Sequence, residues 1–139
     1  MSSFRDQAGH ATLLVVGVCL ICFAVAGVAV DGARAWVLRR TLQNAADAAA
    51  TSGAGALDTG LYYASGGTTR RLEPALARRR AGEIAVLRGT GATMHFSVTA
   101  GVVRARLRAR LRTSFLRLVG IGALPVAAEA TARAFYGRP

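Results

Sequence analysis

The stretch TMHFSVTAGVVRARLRARLR, Thr93 to Arg112, decides how this 139-residue chain is built. From Arg104 to Arg112 every second residue is arginine, and Val103, Ala105, Leu107, Ala109 and Leu111 fill the places between and beside them. Strand side chains alternate between two faces, so this period sends the apolar set one way and Arg104, Arg106, Arg108, Arg110 and Arg112 the other. Wound as a helix, the same arginines would scatter around the axis and leave no clean apolar stripe. The preceding segment alternates likewise, with Met94, Phe96 and Val98 against Thr93, His95, Ser97 and Thr99. A two-residue turn at Ala100-Gly101 sets Thr99 opposite Val102, Val98 opposite Val103, Phe96 opposite Ala105 and Met94 opposite Leu107. A slip by one residue would spoil every apolar pair. The stretch predicts a β-hairpin with a wet arginine face, the arginine stems covering the sheet.

Working outward, Thr113–Val119 reads as a helical turn capped by Thr113 or Ser114 and broken by Gly120 and Gly122. Pro125 then leads into VAAEATARA, a third alternating segment with Val126, Ala128, Ala130 and Ala132 inward and Glu129 and Arg133 outward. Upstream, Thr59 to Arg71 (TGLYYASGGTTRR) has the Gly, Ser and Thr content of a loop. Pro74 suits a first helical turn, and a helix is predicted from there to about Arg88, closed by Gly89. Ala77, Ala81, Ile84 and Ala85 form its apolar stripe, with Arg78, Arg79 and Arg80 on the solvated side.

The amino-terminal part has a different character. Ala8 to Val30, AGHATLLVVGVCLICFAVAGVAV, is 23 residues without a formal charge. As a helix it would be about 34 Å long, enough for a hydrocarbon core of about 30 Å. Ala24-Val25-Ala26 also fits a signal-peptidase site, but the apolar run continues through Val28 and Val30, and Arg5 beside Asp6 makes a weak basic flank. After Asp31-Gly32 no Gly or Pro interrupts Ala33–Thr51, and Ala, Leu, Arg and Gln favour helix. Asp31 and Arg34 make a favourable helical pair, and Trp36 suits a membrane interface. One helix, half in lipid and half stalk, is expected to stop at Gly53 and Gly55. On its outer half Ala45, Ala49 and Gly53 lie four apart, as do Ala46 and Ala50, so another helix could approach closely there.

The fold expected is α+β. It comprises a flank (1–7), a transmembrane helix (8–30), a helical stalk (31–57) and a small external domain (58–139) of a short helix, a hairpin and a third strand. Such a domain is marginal alone, and attachment to the stalk would help it.

The charge is as uneven as the hydropathy. The net charge is +11, every basic residue is arginine, and residues 61–139 hold fourteen arginines against Glu73, Glu83 and Glu129. Glu129 is expected to offset one arginine of the hairpin at most. No catalytic constellation is legible: His10 and His95 stand apart and the acids are scattered singly. Cys19 and Cys22 are spaced like a redox pair but sit inside the apolar run, with no cation or polar group nearby to activate a thiol. No zinc-ligand spacing or phosphate-binding glycine loop is present, so no enzyme activity, metal, cofactor or small-molecule substrate is expected.

An uncharged span followed by VAVDGARAWVLRRTLQNAADAAATSGAGAL resembles the amino-terminal region of TadE/TadG-like Flp pilus-assembly proteins. The matching residues are Val30, Asp31, Arg34, Leu42, Gln43, Ala45, Ala46, Asp47, Ala48, Ala49 and Ala50. TSFLRLVGIGALPVAAEATARA is similar to the carboxy-terminal part of the same proteins, so the resemblance covers roughly residues 8–57 and 93–135. It implies a minor pilin-like component of a tight-adherence pilus or secretion system, held in the cytoplasmic membrane with its globular part outside. Its implied partners are membrane lipids and other pilus-assembly or pilin-like proteins. Pilin-type processing cuts after a glycine, and many pilins carry a glutamate five residues on. Here the candidate site is Gly9-His10, and Leu14 stands in the glutamate's place. Arg34, Arg39 and Arg40 on the far flank outnumber Arg5, so counting charges favours the opposite topology, although long domains can cross regardless of charge.

A second function class is a membrane-tethered arginine sheet that holds nucleic acid or another polyanion. Such binding would be sequence-blind and salt-sensitive, because Phe96, the hairpin's one aromatic besides His95, falls on the apolar face. Nucleic acid is for that reason the less favoured partner.

Overall fold

A computed structural model describes residues 3–69, 71–87 and 91–134, with side chains from His10 onward. Helix α1 runs from Ser3 to Ala54 without a break, 52 residues and about 78 Å at about 1.5 Å per residue. Its two halves live in different surroundings. From His10 to Val30 the one buried residue is Gly27, and Leu13, Leu14, Leu20, Ile21 and Phe23 project outward. Beyond Asp31, Leu42, Ala45, Ala46, Ala49 and Ala50 are fully buried. Among the described residues α1 is the one helix long and apolar enough to cross a membrane.

Gly55 ends the helix, whereas Gly53, expected to share that task, stays helical and serves contact instead. A Cβ on Gly53 would stand 3.0 Å from the Ala77 carbonyl oxygen and 3.0 Å from Val103 Cγ1. The chain then makes a tied excursion. Leu57 bridges Leu72, the Asp58 N–H donates to the Arg71 carbonyl at 2.8 Å, and the Glu73 N–H donates to that of Ala56 at 3.0 Å. Inside this tie Thr59–Ala64 forms a short helix, α2, where the sequence reading expected only loop. The Asp58 carboxylate accepts the Leu61 N–H at 2.9 Å, a cap that offsets the poor propensity of Gly60.

Helix α3, Pro74–Leu87, buries Ala77, Ala81 and Ala85, with Ile84 half-buried, on the predicted stripe. Arg78, Arg79 and Arg80 are exposed, and Arg80 donates to the Gly55 carbonyl at 3.1 Å, satisfying the open end of α1. The predicted close of this helix at Arg88 and Gly89 lies outside the described residues.

Strands β1 (Thr93–Thr99), β2 (Val102–Arg112) and β3 (Ala123–Arg133) form an antiparallel sheet in the order β1-β2-β3. The hairpin register is the predicted one, with Val98 opposite Val103, Phe96 opposite Ala105 and Met94 opposite Leu107. Ala100 and Gly101 supply the positive φ values, 49° and 76°, that a tight hairpin turn needs. Pro125, which has no N–H for a ladder, is tolerated because β3 is an edge strand.

The apolar sheet face lies on α1 and α3, giving two layers around a core in which Ala105, Leu107, Val126, Ala128 and Ala130 meet Leu42 and the α1 alanines, while Val103 packs with Ala56, Leu72 and Ala77. Leu42, Leu107 and Val103 are the largest apolar side chains wholly buried, at about 1.5–3 kcal/mol each. The outer half of α1 is therefore a structural layer of the domain, and the sheet would have no floor without it.

Candidate docking site at Asp31 and the arginine face

β2 runs antiparallel to α1, from Val103 beside Gly53 to Ser114 beside Asp31. The connection from β2 to β3 thus returns to the level where the uncharged run ends. There it forms a single 3-10 turn, η1, Leu116–Val119, closed by Gly120 at φ 88°. Neither Thr113 nor Ser114 caps it, as the sequence had suggested. Thr113 Oγ1 donates to the Ile121 carbonyl, and the cap comes from α1. Asp31 Oδ1 accepts the Ser114 N–H at 2.9 Å, while Oδ2 accepts those of Phe115 and Leu116, each at 2.8 Å.

Asp31 is 0% exposed and is the one buried charged side chain among the described residues. Arg34 lies 3.7 Å from its Oδ1 and donates to Ser114 Oγ at 2.7 Å, so the helical pair predicted from spacing also closes over the loop. One turn toward the amino terminus, Gly27 leaves room for Phe115, whose ring atoms would stand 2.8 Å from a Cβ there. The Phe115 ring meets that of Phe23 edge-on at 5.9 Å. Sequence reasoning placed Asp31 correctly in a motif but missed what it binds, and it missed Gly27 and Phe115 as a pair. The available signal was the solitary acid closing a 23-residue uncharged run.

The arginines of β2 stand on the exposed sheet face as predicted, all five outward. Glu129 engages two of them: Arg104 Nε lies 3.2 Å from Oε1, and Arg106 reaches Oε2 through Nη2 at 2.7 Å and Nε at 2.9 Å. A carboxylate has an oxygen for each neighbour, so Glu129 touches both arginines while its single charge offsets one. The hydrogen bond from Arg106 holds the Glu129 carboxyl below the usual glutamate range; partial desolvation opposes this, and the charges of Arg106 and Arg104 add to it. Among the described residues Arg108, Arg110 and Arg112 have no carboxylate partner. Arg39 of α1 lines a shallow groove with Arg106 and Arg108, so the basic surface continues onto the helix. Phe96 is half-buried on the opposite face and so offers this surface no platform for bases.

Ala45, Ala46, Ala49, Ala50 and Gly53 do receive close neighbours, but from within the chain: α3 and the sheet fill the face expected to accept another helix. Cys19 and Cys22 are free and exposed on the apolar half of α1. Gly9 and His10 lie in the early turns of the same helix. Among the described residues no group of three His, Cys, Asp or Glu could hold a metal.

An apolar helix that runs past a capping aspartate into an alanine-rich outer half is the arrangement on which the family comparison falls. Residues 9–63 match the Tad family model, "Putative Flp pilus-assembly TadE/G-like". The TadE/G-like match covers most of α1, including Asp31 and Arg34, and extends through most of α2 to Tyr63. It stops before α3 and the sheet, so the arginine face lies outside it. The TadE/G-like match supports a role in pilus assembly. No curated protein and no solved structure matches the chain.

Proposed function

We propose that this chain is a single-span, minor pilin-like structural component of a Flp/Tad-type pilus or secretion system, with its sheet domain on the outer side of the cytoplasmic membrane. The observation that carries this reading is the coincidence of the TadE/G-like match with a helix that is bare up to Val30, except where Phe115 rests on it, and built into its own domain beyond Asp31. A bare apolar helix of that length is at home in lipid, where the span packs against lipids and against spans of neighbouring assembly proteins. Because the alanine face is filled from within, contacts outside the membrane fall to the arginine face. Arg108, Arg110 and Arg112 there suit acidic residues on another assembly protein.

A photo-cross-linking residue placed at Leu20 and, separately, at Arg110 tests the assignment in cells that carry a Tad system. Capture of other pilus-assembly components from both positions is expected. Cross-links to lipid alone at Leu20, with none to a pilus component at Arg110, would overturn it.

A further inference from the structure

We propose that the β2–β3 connection is a second membrane contact, with Leu118, Val119 and Ile121 seated in the acyl-chain and headgroup boundary of the leaflet from which α1 emerges. This rests on the reading that α1 spans the bilayer.

Phe115 packs on Gly27 and Phe23, and both belong to the uncharged run that ends at Val30. Phe23 is eight residues before Asp31, about 12 Å along the helix axis. If the run is in lipid, the loop that touches Phe23 is below its edge.

The second observation is what the loop shows to its surroundings. Leu118 is 78% exposed and Val119 73%, and Ile121 beside them is also exposed. Two adjacent large apolar side chains at the tip of a four-residue turn are costly in water, and nothing in the described chain covers them. The turn that bears them meets the apolar half of α1 through Phe115, which is why the occupant is the same bilayer.

The third is rigidity. Asp31 takes three loop N–H groups, the Ile121 N–H donates to the Leu116 carbonyl at 3.0 Å, and the Thr113 N–H donates to that of Gly122 at 3.3 Å. A tip fixed this way loses little freedom on entering lipid. Finally, the charges stand where headgroups would be. Arg117 is on the turn itself, and Arg112 and Arg34 are close above it. Trp36, with Arg40 over its ring at 5.7 Å, lies just beyond on α1. Arginine and tryptophan are the side chains that settle at this level, and guanidinium groups pair with phosphates of anionic lipids.

The consequence is that the domain is held against the membrane at two points, α1 and η1. The stalk is therefore no free rod, and the Arg112 end of the arginine face lies next to the headgroups.

The test uses the full chain with Cys19→Ala and Cys22→Ala, reconstituted in nanodiscs of phosphatidylcholine and phosphatidylglycerol at one copy per disc. A polarity-sensitive fluorophore is attached through Leu118→Cys, Thr99→Cys or Leu20→Cys, and quenching is read with lipids spin-labelled near the glycerol or at mid-chain. Leu118→Cys is expected to be blue-shifted and quenched several-fold more strongly than Thr99→Cys by the shallow label, with Leu20→Cys quenched by the deep one. A water-like Leu118→Cys signal alongside a quenched Leu20→Cys would overturn the loop contact and leave the span standing. Absence of quenching at Leu20→Cys would overturn the spanning reading and this proposal with it. A blue shift at Leu118→Cys without lipid quenching would mean a protein surface covers the loop, and would overturn the lipid assignment.

Discussion

The carboxylate of Asp31 accepts the backbone N–H of Leu116 at 2.8 Å across 85 positions of sequence. A side chain of one helix thus caps a turn far from it in sequence, using the residue at which the uncharged run ends. Because Ser114 and Phe115 donate to the same carboxylate, the aspartate fixes both the turn and the height of the domain on α1.

Asp31→Ala leaves three part-buried N–H groups without their acceptor. Amide exchange at Phe115 and Leu116 is expected to quicken about tenfold or more, the equivalent of at least one lost hydrogen bond, while α1 still inserts in membranes. Asp31→Asn keeps one oxygen and should fall between. Unchanged protection in the alanine variant would show that the cap does not hold the turn.

Gly27→Ala sets a methyl where Phe115 Cβ already stands 2.7 Å away, so the ring must leave its place. Overpacking of this kind costs about 1–3 kcal/mol. At Gly17 a Cβ meets nothing within 4 Å, so Gly17→Ala is the matched control in the same helix. Limited proteolysis between Thr113 and Gly122 should speed up in the first variant and not in the second.

Ala49→Leu shows which parts of the architecture the sequence carried and which it withheld. The hairpin register was legible because each strand has a period of two and the turn length fixes the offset. The small face of α1 was legible too, through Ala45, Ala49 and Gly53 at four-residue spacing. What fills it was not, because spacing along one helix says nothing about whether a partner or the chain's own sheet arrives. The Asp31 cap was hidden for the same reason: Thr113 and Ser114 offered a local cap, and tertiary packing overrode it. Since Ala49 is fully buried against α3 and the sheet, leucine there should destabilise the outer domain by about 1–3 kcal/mol or more without disturbing insertion. Thermal unfolding of the outer domain measures this, and an unshifted midpoint would mean that the face is open after all.

Glu129 makes the domain's stability depend on acid. Its carboxyl is held below the usual glutamate range chiefly by the Arg106 hydrogen bond, so it binds a proton more readily unfolded than folded. Its contribution is fully present above the ordinary glutamate range and is lost as pH falls through the depressed folded value. Glu129→Gln should flatten that part of the stability–pH curve. With half-exposed partners at Arg104 and Arg106, the change is expected to be small and to shrink further in salt.

The arginines of β2 divide by this same carboxylate, and the division gives the sharpest test of what the face is for. Arg104 and Arg106 share Glu129, whereas Arg108, Arg110 and Arg112 meet no acid among the described residues. If these three await an acidic partner, Arg108→Gln, Arg110→Gln and Arg112→Gln together should leave the unfolding midpoint unchanged or raise it, since like charges at alternate positions on one strand repel one another. Capture of assembly partners should weaken in the same variant, and capture by the natural chain should fall steeply with salt. Arg104→Gln with Arg106→Gln should do the reverse, touching stability through Glu129 and leaving capture nearly intact. Co-purification at two salt concentrations, with melting curves for both variants, separates the cases. Equal loss of capture in the two would mean that net charge alone matters, and no loss in either would make the face a solvated one.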